Sequence, residues 1–512
     1  MKPTMLASLM YLVLLGTLVR AQGLNSVGAR GEQAGGDKAS GLLVNVRECG
    51  ARGDGVVNDS AAFREAARRI TQAGGGTLSI PPGVYIVGEQ THEPGQYPYY
   101  RAQQIFVVEG LKDVTVEGHG ATLRAAPGLR FGSFDKDTGE PFVPAAGGFY
   151  DRNYAVGAYS GMLKFLNCDQ VAIRNLELDG NSGALVLGGR WGDVGRQVGA
   201  TGIHLYGNRN VVVENVHTHH HGLDGIMIGQ PGLKVTDPPT PHLLRRVVSE
   251  YNARQGLSWV GGRGLAAVDS LFNHTGRGAF SSAPAAGLDI EGEDAVCRDG
   301  SFVRCEFVNN VGCGVVSDAG DGGYARFEDC TLWGTTTWSV WSKKPGLLFE
   351  DCRIYGTAVH GYGSADPELA TRFVRCQFED KEYVTNGVFR SNGGLVESIG
   401  GDNILFDGCT FKANQTRSLW IDGTGSREIL RNCTVLHRAV RPNRGFQSLV
   451  RGARMENVRF MEGFPPEHTN AYTLEMWSID VGTNVFVSGP ACKWGSWSWG
   501  ATGMISQAKS AP

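Results

Sequence analysis

Charge is scarce in this chain. Asp, Glu, Lys and Arg together make up 19% of its 512 residues, and the net charge is −3. So little charge beside 41% hydrophobic residues excludes a disordered chain, which needs high charge and few apolar residues. The near-neutral balance also lacks the basic excess of a nucleic-acid binder. No apolar run past the first twenty residues is long enough to span a bilayer. The glycines lack the three-residue period of collagen, and no heptad pattern of a coiled coil appears. What is abundant is glycine itself, at 74 residues, about twice the usual ~7% usage. A glycine-rich, weakly charged chain of this length predicts an all-β protein with many turns.

The N-terminus reads as an export signal. Lys2 precedes the apolar run Met5–Val19, and Val19-Arg20-Ala21 ends in a small residue at a cleavage point. Residues 1–21 are therefore assigned as a signal peptide and 22–44 as a flexible segment, and a secreted or periplasmic location is expected. In such a compartment eleven cysteines invite a disulfide framework. Their context argues otherwise. Six share one frame: Cys305 in FVRCEF, Cys330 in FEDCTL, Cys352 in FEDCRI, Cys376 in FVRCQF, Cys409 in FDGCTF and Cys433 in LRNCTV. The intervals are 25, 22, 24, 33 and 24 residues. Units of this length, each a short strand, a small polar turn and another strand with no room for a helix, predict a parallel β-helix. The six cysteines become an internal ladder of buried free thiols. Cys49, Cys168, Cys297, Cys313 and Cys492 lie outside the frame, where a disulfide remains open.

The open end of a solenoid needs a cap. Asp59-Ser60 starts a helix whose Ala62, Phe63, Ala66, Ala67 and Ile70 share one face, and Gly74-Gly75-Gly76 ends it. The stretch Asn45–Gly88, through Gly50-Ala51, Gly53-Asp54-Gly55, Asp59, Ala66, Gly75-Gly76-Thr77 and Pro81-Pro82-Gly83, resembles the opening of the pectate-lyase-like superfamily. The resemblance implies a single-stranded, right-handed parallel β-helix solenoid with an N-terminal capping helix. It also implies an exported protein acting on a polysaccharide by hydrolysis, elimination or epimerisation. On this reading the β-helix covers 45–462, with cap and first coils in 45–125, and 463–512 form a C-terminal cap or tail.

Aligning coils on Gly225, Gly256, Gly287 and Gly314 sets a register. Leu288 and Ile290 then point inward, and Asp289 and Glu291 share an outer face, roughly 7 Å apart by strand rise. Asp318 falls beside Glu291, and Lys343 falls beside Asp318, each thirteen residues past its ladder cysteine. Trp341 joins the same exposed strip. Paired carboxylates suit glycosidic cleavage, one as acid and one as base or nucleophile. Trp341 offers a face for a pyranose, and Lys343 a charge for an anionic sugar. Asp289, Glu291 and Asp318 are thus the catalytic candidates of a glycoside hydrolase that requires no cofactor.

Two alternatives stay open. The acidic cluster, with Glu293-Asp294, also suits calcium, and Arg254, Lys343 or Lys344 could serve a polysaccharide lyase or uronate epimerase. A non-catalytic glycan-binding β-helix is the third reading. The run His217, His219, His220, His221 precedes Gly222-Leu223-Asp224-Gly225. Extended backbone would put His219 and His221 on one side, suited to metal or base chemistry. His219–Gly225 is similar to a segment of bacterial mannuronan C5-epimerases, although their Asp-Pro-His motif is absent. His221, Asp224 and Arg254 are grouped with Trp341 and Lys343 as substrate-binding candidates; no metal is assigned. Polygalacturonase-type hydrolases carry Asn-Thr-Asp, Asp-Asp, Gly-His-Gly and Arg-Ile-Lys. Here only Gly118-His119-Gly120 appears, at a coil turn far upstream. The irregular stretches Thr91–Tyr159 and Ser182–Gly199, the latter with Arg190-Trp191 and Arg196, are expected to shape a groove. Trp494, Trp497 and Trp499 read as a C-terminal cap or a sugar-stacking lip. The expected partner is a polysaccharide or oligosaccharide, with no nucleic acid and no membrane span, and a monomer is expected.

Overall fold

The computed structural model describes residues 41–96, 99–143, 154–156, 159–189, 197–334, 338–356, 359–380, 394–398, 401–414, 417–422, 427–437, 448–462, 474–477, 479–488, 492–494 and 505–508. The signal peptide, Arg190, Trp191, Arg196, Trp497 and Trp499 lie outside the described residues, as does the side chain of Trp494. From Leu42 onward the chain forms one compact unit, a right-handed parallel β-helix. Each regular coil contributes three strands. One coil, for example, runs Leu265–Val268, Leu271–Asn273 and Ala286–Arg298. Each strand pairs in parallel with its counterpart one coil on: Leu265–Val268 with Gly300–Val303, and Ala286–Arg298 with Val315–Asp321. A coil cannot bury its apolar face alone, so stacking supplies the core.

In the cysteine-ladder coils the first two strands are separated by two residues, a left-handed one and then the ladder residue. Arg304, Asp329, Asp351, Arg375, Gly408 and Asn432 occupy this place with φ between 50° and 66°. L-residues with side chains rarely adopt that region. Stacked turns repeat it, and several of their side chains pair from coil to coil. Arg304 donates to Asp269 at 2.7 and 3.1 Å, and Arg375 to Asp351 at 2.8 and 2.7 Å. These pairs are exposed, so water screens them and they add little to stability.

The turn directs the next residue inward, and the six ladder cysteines are buried free thiols. The Cys330 thiol donates to the carbonyl of Glu328 in its own coil and that of Phe302 in the preceding one, both at 3.4 Å. Cys49, Cys168 and Cys297 are also free, and Cys313 is buried; the Cys492 side chain lies outside the described residues. Three residues before each of the first five ladder cysteines stands a phenylalanine. Phe302, Phe327, Phe349, Phe373 and Phe406 stack at centroid spacings of 4.8, 4.6, 5.0 and 5.1 Å. Each aromatic pair adds about 0.5–1.5 kcal/mol beyond area burial.

The capping helix α1 spans Ser60–Ala73 and buries Ala62, Phe63, Ala66, Ala67 and Ile70; Gly74, at φ 77°, closes it. Its N-terminus differs from the expectation. Asp59 makes no capping bond to the helix, because its carboxylate accepts from the N–H groups of Arg52 and Gly53 at 2.7 and 3.1 Å. Asn58 Oδ1 accepts from the N–H of Ser60 instead, at 3.0 Å. The parallel ladder also continues past the expected boundary at 462. Val458–Glu462 pairs with Val485–Ser488, which pairs with Ile505–Ala508. These last coils lack the cysteine frame, which is why the periodicity ends early in the sequence.

Candidate active site

The third strands of successive coils stack in one parallel sheet, and its register matches the glycine alignment. Ile203, Ile226, Leu257, Leu288, Val315, Val340 and Val359 stand in one row and are all buried. One residue on, His204, Met227, Ser258, Asp289, Val316, Trp341 and His360 form the neighbouring row on the opposite side. The aligned glycines are required by crowding. A Cβ on Gly256, Gly287 or Gly314 would lie 2.7–2.8 Å from a backbone carbonyl oxygen.

At these glycines the simple alternation of faces fails. Asp224, Gln255, Ala286 and Cys313 precede Gly225, Gly256, Gly287 and Gly314. Strict alternation would put them on the inner side with Leu288. Instead Ala286 and Cys313 pack with Val316, Trp338 and Trp341 on the outer side. Gln255 reaches Asp289, its Nε2 donating to Asp289 Oδ2. Gln255 is the functional candidate that sequence reasoning missed. The available signal was a glycine step too crowded for any side chain, which changes the direction of its neighbours.

Of the three candidate carboxylates only Asp318 is exposed. Asp289 is only 1% exposed, and its Oδ1 has no hydrogen-bond partner among the described residues. Glu291 is half-buried and Asp318 exposed. Burial comes first in raising the Asp289 carboxyl well above the ordinary range, and the neighbouring Glu291 adds to it; Arg254 opposes the shift. Glu291 is raised too, again chiefly by burial, with Arg254 pulling against it and Glu293 and Asp318 adding to it. The expected placement of Asp318 beside Glu291 is corrected by a β-bulge. Asp289 pairs with Val316, but Glu291 pairs with Ala319, so the facing strand carries an extra residue between them.

Asp224 and Arg254 form the polar wall of this cluster. Asp224 is wholly buried, and Arg254 donates to it through Nε at 2.8 Å and Nη2 at 2.6 Å. Arg254 Nη1 also lies 3.4 Å from Gln197 Oε1. Burial alone would lower the guanidinium, but Asp224, then Asp289 and Glu291, hold it charged.

Lys343 makes no ion pair with Asp318 among the described residues. Its N–H donates to Ser317 O at 2.7 Å, and its ammonium sits 4.5 Å from the centre of the Trp341 ring. Trp341 is half-buried, packed 4.8 Å from Trp338 and 4.5 Å from His360, centroid to centroid.

His221 is turned inward. Its ring is wholly buried, 2.9 Å from Thr218 Oγ1, and burial lowers it to about 3. His219 lies on the outer side against Glu177 and Asp179. The two histidines do not share a side because His220 between them is left-handed, at φ 54°. His119 also has a left-handed φ, 48°, and its ring is 3.2 Å from Ser79 Oγ, consistent with a turn residue.

No family model matches the chain, and no curated protein matches it in sequence. Among solved structures it is similar to the A-module of mannuronan C-5 epimerase AlgE4 from Azotobacter vinelandii (12% identity, covering 91% of this chain and 100% of that one, TM-score 0.39). It is similar to an N-terminal fragment of bacteriophage phi29 gene product 12 (13% identity, 96% and 69% covered, TM-score 0.40). A third is an exopolygalacturonase from Thermotoga maritima (12% identity, 93% and 92% covered, TM-score 0.27). The coil architecture described above rests on the strand register of this chain itself.

Proposed function

We propose that this protein is an exported carbohydrate-active enzyme that cleaves a polysaccharide as a glycoside hydrolase. The observation that carries the reading is the buried Asp289 carboxyl beside Glu291, raised by burial and by that neighbour. A general acid must hold its proton near the working pH, and environments that separate two carboxyls assign the acid and the base. Asp289, with one oxygen accepting from Gln255 and the other unpartnered, is the acid that protonates the leaving oxygen. Glu291, less buried, is the second carboxylate. Alternate residues on one strand are about 7 Å apart, within the roughly 6.5–9.5 Å that admits a water and implies inversion. Arg254 supplies positive charge among Asp224, Asp289 and Glu291, which moderates the repulsion between the two active carboxyls. Trp341 and Trp338 offer aromatic surface beside them for a sugar ring, with Lys343 at the rim for an anionic group.

The test is a screen of the purified full chain against acidic and neutral polysaccharides, with and without chelator. The expected result is new reducing ends without an unsaturated, ultraviolet-absorbing product. Unsaturated product that vanishes with chelator and returns with calcium would replace this reading by a calcium-dependent lyase. Binding without turnover on every polysaccharide would replace it by a glycan-binding protein.

A further inference from the structure

A second polar cluster lies on a different sheet, on the outer side of the second strands. There Thr122, Glu177 and His217 stand in one row, and Arg124, Asp179, His219 and Glu250 in the next but one. We propose that Glu177, His217 and His219 form a binding site for a transition-metal ion of the zinc class. One ligand atom from each of the three lies within 4.8 Å of the others. A tetrahedral ion with bonds of ~2.0–2.1 Å holds its ligand atoms about 3.3 Å apart, so small side-chain rotations complete the set. Two imidazoles with one carboxylate favour zinc and its neighbours over calcium or magnesium, which take oxygen ligands.

The surroundings support the assignment. His219 Nε2 lies 3.0 Å from Glu177 Oε1, while its Nδ1 lies 2.7 Å from His220 Nδ1 and 3.8 Å from Asp179 Oδ1. One nitrogen of the His219–His220 contact must carry the proton. If His219 Nδ1–H donates to His220, the lone pair of His219 Nε2 faces a carboxylate oxygen, and a cation between the two turns that repulsion into attraction. The opposite tautomer gives an ordinary hydrogen bond to Glu177 and describes the metal-free site. Glu250, 3.0 Å from His217 Nε2, occupies the place of a carboxylate that orients a metal-bound imidazole. Thr122 Oγ1 donates to Glu177 Oε2 at 2.6 Å and leaves Oε1 toward the histidines. Glu177 and His217 also line a shallow hollow of about 550 Å³, bordered by Glu117, His119, Asn175 and Asn215. Three protein ligands beside an open hollow leave a coordination position for water or for an anionic ligand.

The experiment is titration of the untagged full chain with zinc chloride by calorimetry, repeated with calcium and magnesium chlorides. Visible absorption on adding cobalt(II) reports tetrahedral coordination. The expected result is one zinc per chain, no heat with calcium or magnesium, and a cobalt band. His217→Ala, His219→Ala and Glu177→Gln should each weaken zinc at least tenfold, while Asp289→Asn keeps the affinity. If His219→Ala fails to melt cooperatively, the part-exposed His217 and Glu177 variants carry the test. Absence of zinc binding overturns the proposal, and so does zinc binding that the folded variants leave unchanged.

Discussion

Replacing Asp289 by Asn separates catalysis from stability. The amide nearly preserves the shape of the carboxyl, and its oxygen still accepts from Gln255 Nε2. Its NH2 takes the place of the unpartnered oxygen. What is lost is a transferable proton. General acid catalysis contributes about 10²–10⁴-fold, so the barrier rises by roughly 2.7–5.4 kcal/mol at 1.36 kcal/mol per decade. Stability should move the other way. The Asp289 carboxyl is raised in the folded protein, first by burial and then by Glu291. Between the ordinary carboxylate range and that raised value the native state holds a proton that the unfolded chain has released. Native stability therefore falls as pH rises through this window and levels off above it. The Asn variant lacks this loss. Its unfolding midpoint should match wild type at acid pH and exceed it increasingly as pH rises through the window. Turnover is measured on the polysaccharide found in the screen, and stability by thermal and denaturant unfolding across pH. Near-wild-type turnover refutes the role of Asp289 as acid. A variant that loses stability relative to wild type as pH rises refutes the buried, proton-holding carboxyl.

The wild-type pH–rate profile should be bell-shaped, with both limbs above the ordinary carboxylate range, since Asp289 and Glu291 are both raised. The two limbs belong to the pair as a unit, and Glu291→Gln should abolish the acid limb along with most of the turnover. Trp341→Ala should raise KM about threefold to tenfold with kcat largely kept, matching about 0.5–1.5 kcal/mol of aromatic contact; a loss confined to kcat would place the ring elsewhere. Asp224→Asn leaves Arg254 without its bidentate partner and should cost about 3–5 kcal/mol in denaturant unfolding; a neutral result would mean that Asp289 and Glu291 alone hold the guanidinium. The thiols of Cys305, Cys330 and Cys352 should resist alkylation in the folded protein and react without reductant once it is unfolded, as read by mass spectrometry. Their recovery as disulfides would break the ladder.

The features legible in the sequence were those that repeat. The cysteine frame marks one inward position per coil, and residues between fixed marks keep their parity, so Leu288 and Ile290 were correctly placed inside with Asp289 opposite. The departures occur where the backbone leaves ordinary strand geometry. His220 is left-handed, so His219 and His221 take different sides. The bulge opposite Asp289 and Glu291 moves Asp318 out of line. The glycine step turns Asp224 and Gln255 toward the carboxylates. Coils beyond residue 462 lack the cysteine frame, and no repeat announced them.

These departures also define the candidate active site. A strand of strict alternation presents its outward carboxylates to water, where their ionisation stays ordinary and neither keeps a proton near neutral pH. Burying Asp289 requires neighbours that cover it without replacing the charge it gives up. The glycines provide that cover, because they admit no side chain of their own and turn the preceding residues outward. Gln255 can then donate to Asp289, and Asp224 can hold Arg254 beside it. Replacing Gly256 by Ala tests this link directly. Its Cβ would meet Gly287 O at 2.7 Å and Phe272 Cβ at 3.1 Å, so the strand must shift and carry Gln255 with it. The expected outcome is a loss of turnover with the acid carboxyl drawn back toward its ordinary range, seen as a basic limb displaced to lower pH. An unchanged basic limb in a folded Gly256→Ala variant would show that the glycine step serves packing alone.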